Sequence, residues 1–156
     1  MVKTNVMRIL DRAKASYKTY EYKSDGAISG TEVAKAIGKP EEQVFKTLVT
    51  VGKSGANYVF VVPVAEELDL KKAASSVGEK SIEMLKSKNL LPTTGYVHGG
   101  CSPIGMKKQF VTTVHNTAAE VETMVFSAGK IGAQVEMSLE TLKSLVPLSL
   151  SDIIVR

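Results

Sequence analysis

Apolar residues recur along the chain at two spacings, and these divide it into helices and strands. Val6, Ile9, Leu10 and Ala13 fall three or four apart, as on one helix face, and predict a helix over 4–16 capped by Thr4 or Asn5. Over 18–22 the pattern is that of a strand, with Tyr20 and Tyr22 on one face. Asp25-Gly26 predicts a turn. A short helix follows over 32–37, begun by Ser29 or Thr31 and stopped by Gly38, and Pro40 sets a further helical turn. Two strands, 44–51 and 58–62, flank a hairpin link over 52–57. Asp69 caps a helix reaching Ser75; a second helix is expected over 81–88 and irregular chain over 90–95. Strands are expected over 110–115, 124–127 and 134–137. Ser138 caps a last helix over 139–145, which Pro147 ends before a short strand or tail.

Strands and helices mix without a βαβ repeat. That favours an α+β fold, or a mixed barrel with helices outside, over a doubly wound sheet. With 156 residues, no internal repeat and no linker, one domain over 1–156 is expected. Apolar content of 44% and charged content of 23% are those of an ordinary globular chain. The net charge of +4 permits a nucleic-acid partner without requiring one. One cysteine excludes a disulfide framework, and with only two scattered histidines no metal site or other cofactor is expected. No apolar run reaches the length of a membrane span, and the N-terminus has no long apolar stretch of a signal peptide. A cytoplasmic protein without a membrane partner is the expectation.

The densest candidate chemistry lies in Gly95-Tyr96-Val97-His98-Gly99-Gly100-Cys101-Ser102-Pro103-Ile104-Gly105. Adjacent glycines let main-chain N–H groups approach an anion or a carbonyl oxygen, and Pro103 stiffens the loop exit. The competing role is a tight turn. In Val44-Phe45-Lys46-Thr47-Leu48, strand alternation sets Lys46 among apolar neighbours, where an ammonium is costly unless it reaches water or an anion. Cys101 and His98 offer a thiol and a base, although three residues of separation do not establish contact, and a small loop-filling role suffices for Cys101. The pairs Lys71-Lys72 and Lys107-Lys108, with Lys86 and Lys88, could touch phosphates but read first as solvated faces. Ser127-Ala128-Gly129-Lys130-Ile131-Gly132 lacks the Walker pattern. Glu66, Glu67 and Asp69 are accounted for by helix capping and the helix dipole.

Four stretches together carry a resemblance: Val44 to Leu48, Leu68-Asp69-Leu70-Lys71-Lys72, Thr94 to Gly105, and Ser127 to Lys130. In order and spacing the chain resembles the YbaK/EbsC family of aminoacyl-tRNA deacylases. That family is similar to the editing domain inserted in bacterial prolyl-tRNA synthetases. The likeness is greatest to the branch acting on cysteine attached to proline tRNA. It implies a mixed barrel of six or seven strands flanked by helices, and a pocket for the 3′-terminal adenosine with its aminoacyl group. It also implies that Lys46 sits at the terminal nucleotide and ester. Gly99, Gly100 and Pro103 would form a G-x-x-x-P loop facing the scissile carbonyl. Tyr20, Thr47, Ser127 and Gly129 would line the pocket. Ser29 stands where relatives carry a bulky aromatic, and Gln134 where some carry an acid. The implied partners are the 3′ acceptor end of a mischarged tRNA and prolyl-tRNA synthetase. The implied chemistry is attack by the substrate's own thiol on its ester, needing no protein nucleophile, cofactor or metal. Three alternatives stay open: water-driven deacylation of Ala-tRNA or another mischarged tRNA, a non-catalytic binding module, and a thiol hydrolase using Cys101.

Overall fold

The computed structural model describes residues 2–23 and 28–156. The turn expected at Asp25-Gly26 lies outside them. The described residues form helices α1 (Asn5–Arg12), α2 (Gly30–Ile37), α3 (Leu70–Val77), α4 (Ser87–Thr94) and α5 (Leu139–Leu145). The strands are β1 (Lys18–Glu21), β2 (Phe45–Gly52), β3 (Asn57–Pro63), β4 (Ile82–Met84), β5 (Val111–His115), β6 (Met124–Lys130), β7 (Ala133–Met137) and β8 (Leu148–Ser151).

Helix starts follow the capping residues. The Thr4 hydroxyl accepts from Met7 N–H, Ser29 from Glu32 N–H in a full capping box, Asp69 from Lys71 and Lys72, and Ser138 from Thr141. The turn after Pro40 is the 3₁₀ segment Glu41–Gln43. The reading of 81–88 as a helix is corrected: Ile82 to Met84 is a strand pairing the end of β2, and the helix begins only at Ser87. Two apolar residues in alternation suffice once a strand edge is available. The stretch expected to be irregular is therefore α4. Pro92 lies inside it, where its missing N–H leaves Lys88 C=O without a helical donor, and the helix ends on Gly95.

The strands make two sheets, β1-β7-β6 and β4-β2-β3-β5-β8. The mixed α+β architecture is as expected, and no closed barrel of six or seven strands is found among the described residues. There are eight strands among the described residues, and a single parallel bridge, Val44 to Val125, joins the sheets. The edge of β2 is occupied by β4 at one end and by this bridge at the other, which leaves its middle without a strand among the described residues. The central strand β3 is antiparallel to β2 and parallel to β5. Its continuous run Val59-Phe60-Val61-Val62 is buried on both faces, as such a run predicts. One face packs with β6, β7, α1 and α5 around Leu10, Phe126, Val135 and Leu142; the other packs under α3 through Phe60, Val62, Ala73 and Ile153. A small third cluster, Ala34, Val44, Val64 and Val125, seats α2 where the sheets meet.

Candidate active site

Beside that junction β2 and β6 part, and the gap is a cavity of about 800 Å³. Its walls are Val44 and the start of β2 (Phe45 to Val49), the N-terminus of α2 with its cap (Ser29, Gly30, Val33), the segment from the end of β4 into α4 (Met84, Leu85, Ser87, Leu90), and the glycine loop (His98, Gly99, Cys101). Ser127, Ile131 and Gln134 close it from the second sheet. A mostly apolar wall with a few polar groups suits a ligand with a flat apolar body and polar handles.

Four sequence candidates line this cavity: Lys46, Thr47, Gly99 and Ser127. Lys46 is partly buried and has no ion-pair partner among the described residues. Burial pulls its pKa below the ordinary lysine value, against the opposing pull of Glu67 and Glu66. The Thr47 hydroxyl is buried without a hydrogen-bond partner among the described residues. Ser127 Oγ accepts from Gly129 N–H at 3.1 Å, which leaves its proton free for the cavity. Gly99 is the third residue of a turn that spans Val97 to Gly100, with φ 86°, a backbone angle that favours glycine.

The other four candidates stand elsewhere. Gly100 N–H is taken up by Val97 C=O at 3.0 Å and is not available to a substrate oxygen. Pro103 is buried behind the loop, where Tyr96 OH donates to Ile104 C=O and stiffens it. Gly129 forms the bulge between β6 and β7, with φ 91°. A Cβ there would sit 3.0 Å from Tyr96 and Val6. Tyr20 points to a different polar cluster, and Tyr22 takes the place at the cavity. Tyr20 OH and Thr123 Oγ1 donate to buried Glu136, Gln43 Nε2 donates to it at 3.3 Å, and Lys39 pairs with it at 3.2 Å. Burial alone would raise the Glu136 pKa; the bonds from Thr123, Tyr20 and Lys39 outweigh it and hold the carboxyl below the usual range. Nothing in the sequence marks this cluster, because Gln134-Val135-Glu136 alternates like a strand with one wet face.

His98 and Cys101 both reach the cavity wall. Burial pushes the Cys101 thiol up to about 12, so it is a protonated wall residue at neutral pH. His115 is remote: it is fully buried, and its Nδ1 accepts from Ile153 N–H at 3.2 Å. Ser29 and Gln134 line the cavity with short polar side chains, Ser29 held as the α2 cap.

Residues 27–145 match the family model for the aminoacyl-tRNA editing domain. The chain is 47% identical over 144 residues to EbsC of Enterococcus faecalis, named as a candidate Cys-tRNA(Pro)/Cys-tRNA(Cys) deacylase. That match covers 92% of this chain and 88% of the relative. A proline–tRNA ligase of Thermosipho melanesiensis is 33% identical over 76 residues, 48% of this chain and 13% of the ligase. Among solved structures, a candidate trans-editing enzyme for prolyl-tRNA synthetase superposes with TM-score 0.85 at 23% identity, covering 99% of this chain and 100% of the other.

Proposed function

The chain belongs to the aminoacyl-tRNA editing domain family, and from that premise we propose that it deacylates cysteine misattached to proline tRNA after release from the synthetase. The observation that carries the reading is the cavity between β2 and β6. Among the described residues it holds an unpaired ammonium and an unpartnered hydroxyl, while the one protein thiol on its wall is kept protonated. Such a site can hold and polarise an aminoacyl ester without supplying a nucleophile.

The substrate supplies it. A cysteine thiol with a pKa near 8.5 is a few per cent thiolate at neutral pH. Its sulfur attacks the ester carbonyl carbon, forming a C–S bond and breaking the C–O bond to the ribose. The thiol proton goes to the departing ribose oxygen. Free tRNA and a cyclic thiolactone result, and water then opens the thiolactone to cysteine. Alignment of the two groups supplies effective molarities on the order of 10⁵ M. Lys46 contributes a charge-assisted contact to the terminal nucleotide or the ester. Alanine and serine are rejected because neither carries the thiol, not by size, which separates such side chains by only about 1–3 kcal/mol.

A net charge of +4 supports only weak, salt-sensitive attraction to tRNA. Selection of proline tRNA therefore falls to a partner, and prolyl-tRNA synthetase is the one that makes the error. The test compares wild type and Cys101→Ala on Cys- and Ser-charged proline tRNA. Both proteins should turn over the cysteine ester, neither the serine ester, and a thiolactone should appear first by mass spectrometry. Equal turnover of both esters points to activated water, loss of turnover in a folded Cys101→Ala to a thiol hydrolase, and protection of the ester to a binding module.

A further inference from the structure

The open edge of β2 can be followed bond by bond. Val64 N–H donates to Val44 C=O at 2.9 Å, and Gly52 N–H to Ala56 C=O at 2.8 Å. Residues of β2 in step with Val44 and Gly52 therefore turn their N–H and C=O toward β3. Phe45, Thr47, Val49 and Val51 turn theirs the other way. On that side β4 pairs only from Thr50 to Gly52, and Leu85 N–H reaches Val49 C=O at 3.0 Å. At the far end Val44 N–H is held by Glu41 and its C=O by Val64. The bridge to Val125 must then run through Phe45 N–H and Val125 C=O. Between these two ends stands Thr47. Its N–H and C=O face the cavity with no strand beside them among the described residues, and its hydroxyl is unpartnered as well. The same alternation along β6 turns the main chain of Ser127 toward the gap from the opposite wall.

A donor and an acceptor on one side of an extended residue complement one residue of another extended chain. An aminoacyl ester offers that pair in its α-ammonium and its carbonyl oxygen. We propose that the main chain of Thr47 clamps the substrate as a single β-residue: its C=O accepts from the α-ammonium, and its N–H donates to the ester carbonyl oxygen. This rests on the deacylase reading. It gives the carbonyl a donor that Gly100, bonded to Val97, cannot supply, and that bond strengthens as negative charge develops on the oxygen. It also fixes handedness. Side chains directly opposite share a face, so an L-residue sends its side chain to the face of Thr47, Phe45 and Val49. A D-residue sends it toward Lys46 and Leu48.

The experiment uses the whole chain and two tRNA(Pro) esters, cysteinyl and 3-mercaptopropionyl, the second lacking only the amine. Each rate is divided by the spontaneous hydrolysis rate of the same ester. Wild type should favour the cysteinyl ester by about ten- to a hundredfold. Thr47→Val keeps the main chain and should keep that ratio within about twofold, even as turnover falls. A semisynthetic chain with the Thr47 N–H replaced by oxygen should lose about tenfold or more in kcat with KM little changed. Equal rates on the two esters, loss of the ratio in Thr47→Val, or an undiminished kcat in the semisynthetic chain overturns the clamp and leaves the deacylase reading standing. If wild type turns over neither ester, both fall.

Discussion

Two polar clusters sit on either side of the junction between the sheets, and they are built on opposite principles. Around Glu136 every buried group finds a partner inside the chain: Tyr20, Thr123, Gln43 and Lys39 surround one carboxylate. Around Lys46 and Thr47 the described residues leave an ammonium unpaired and a buried hydroxyl unbonded. A satisfied network steadies the fold, while an unsatisfied one costs it stability and is complete only with a ligand. Lys39 and Lys46 make the contrast within one residue type: hydrogen bonds to Tyr20 and Glu136 raise the first, and burial lowers the second.

Removing the cation at the cavity has the largest expected effect. Lys46→Ala should lower turnover of the cysteinyl ester about ten- to a hundredfold. The Tm of Lys46→Met, which keeps the stem, should stay level or rise, because the fold no longer holds a half-desolvated ammonium. Lys46→Arg should rescue only partly, since a planar fork replaces a compact charge. A Tm drop in Lys46→Met without loss of turnover would reverse the assignment of the two clusters.

The mirror experiment is Glu136→Gln. It should cost about 2 kcal/mol, or roughly 4–8 °C in Tm, and leave turnover per folded molecule unchanged. Its pH signature has a definite sign. The native carboxyl is held below the ordinary value, so its stabilisation is present above the usual carboxylate range and is lost as pH falls through the lowered pKa. Urea titrations at a series of pH values should show an acid limb that is flatter in Glu136→Gln. A smaller effect belongs to Thr47→Val. Replacing an unpartnered buried hydroxyl by a methyl should leave stability within about 0.5 kcal/mol of wild type while turnover falls two- to tenfold.

How far these clusters were legible depends on what each is made of. Lys46 stood out because a charge interrupted an apolar strand. Ser29, Asp69 and Ser138 announced their helices through local capping chemistry, and Val59 to Val62 announced a strand buried on both faces. The Glu136 cluster joins residues from four separate segments, and no spacing links them. The open edge at Thr47 depends on where β4 stops, and the sequence hid β4 itself, since Ile82 and Met84 suit one turn of helix as well as three residues of strand. Gly100 was readable as a donor; that Val97 takes up its N–H is a fact of the turn.

The smallest expected effect lies away from both clusters. Burial lowers the pKa of His115 below 6.5, against the pull of Asp152. The unfolded chain therefore binds a proton that the folded one resists. Stability from this residue is full above pH 6.5 and is lost as pH falls toward the lowered pKa. His115→Asn, which keeps an acceptor for Ile153 N–H, should remove that first, shallow step and spare the carboxylate step below it. An unchanged acid limb between pH 6.5 and 5 would assign the step elsewhere.

The gap in the edge of β2 also bears on how such a protein can change over time. A contact made by peptide groups belongs to no codon, so it survives substitutions that would erase a side-chain contact. The part of a substrate common to all amino acids would be met by peptide atoms. The part that differs would meet replaceable walls such as Ser29, Gln134 and Ile131. A lineage could then drift from one mischarged amino acid to another by altering those walls, without passing through an ancestor unable to hold an aminoacyl ester at all.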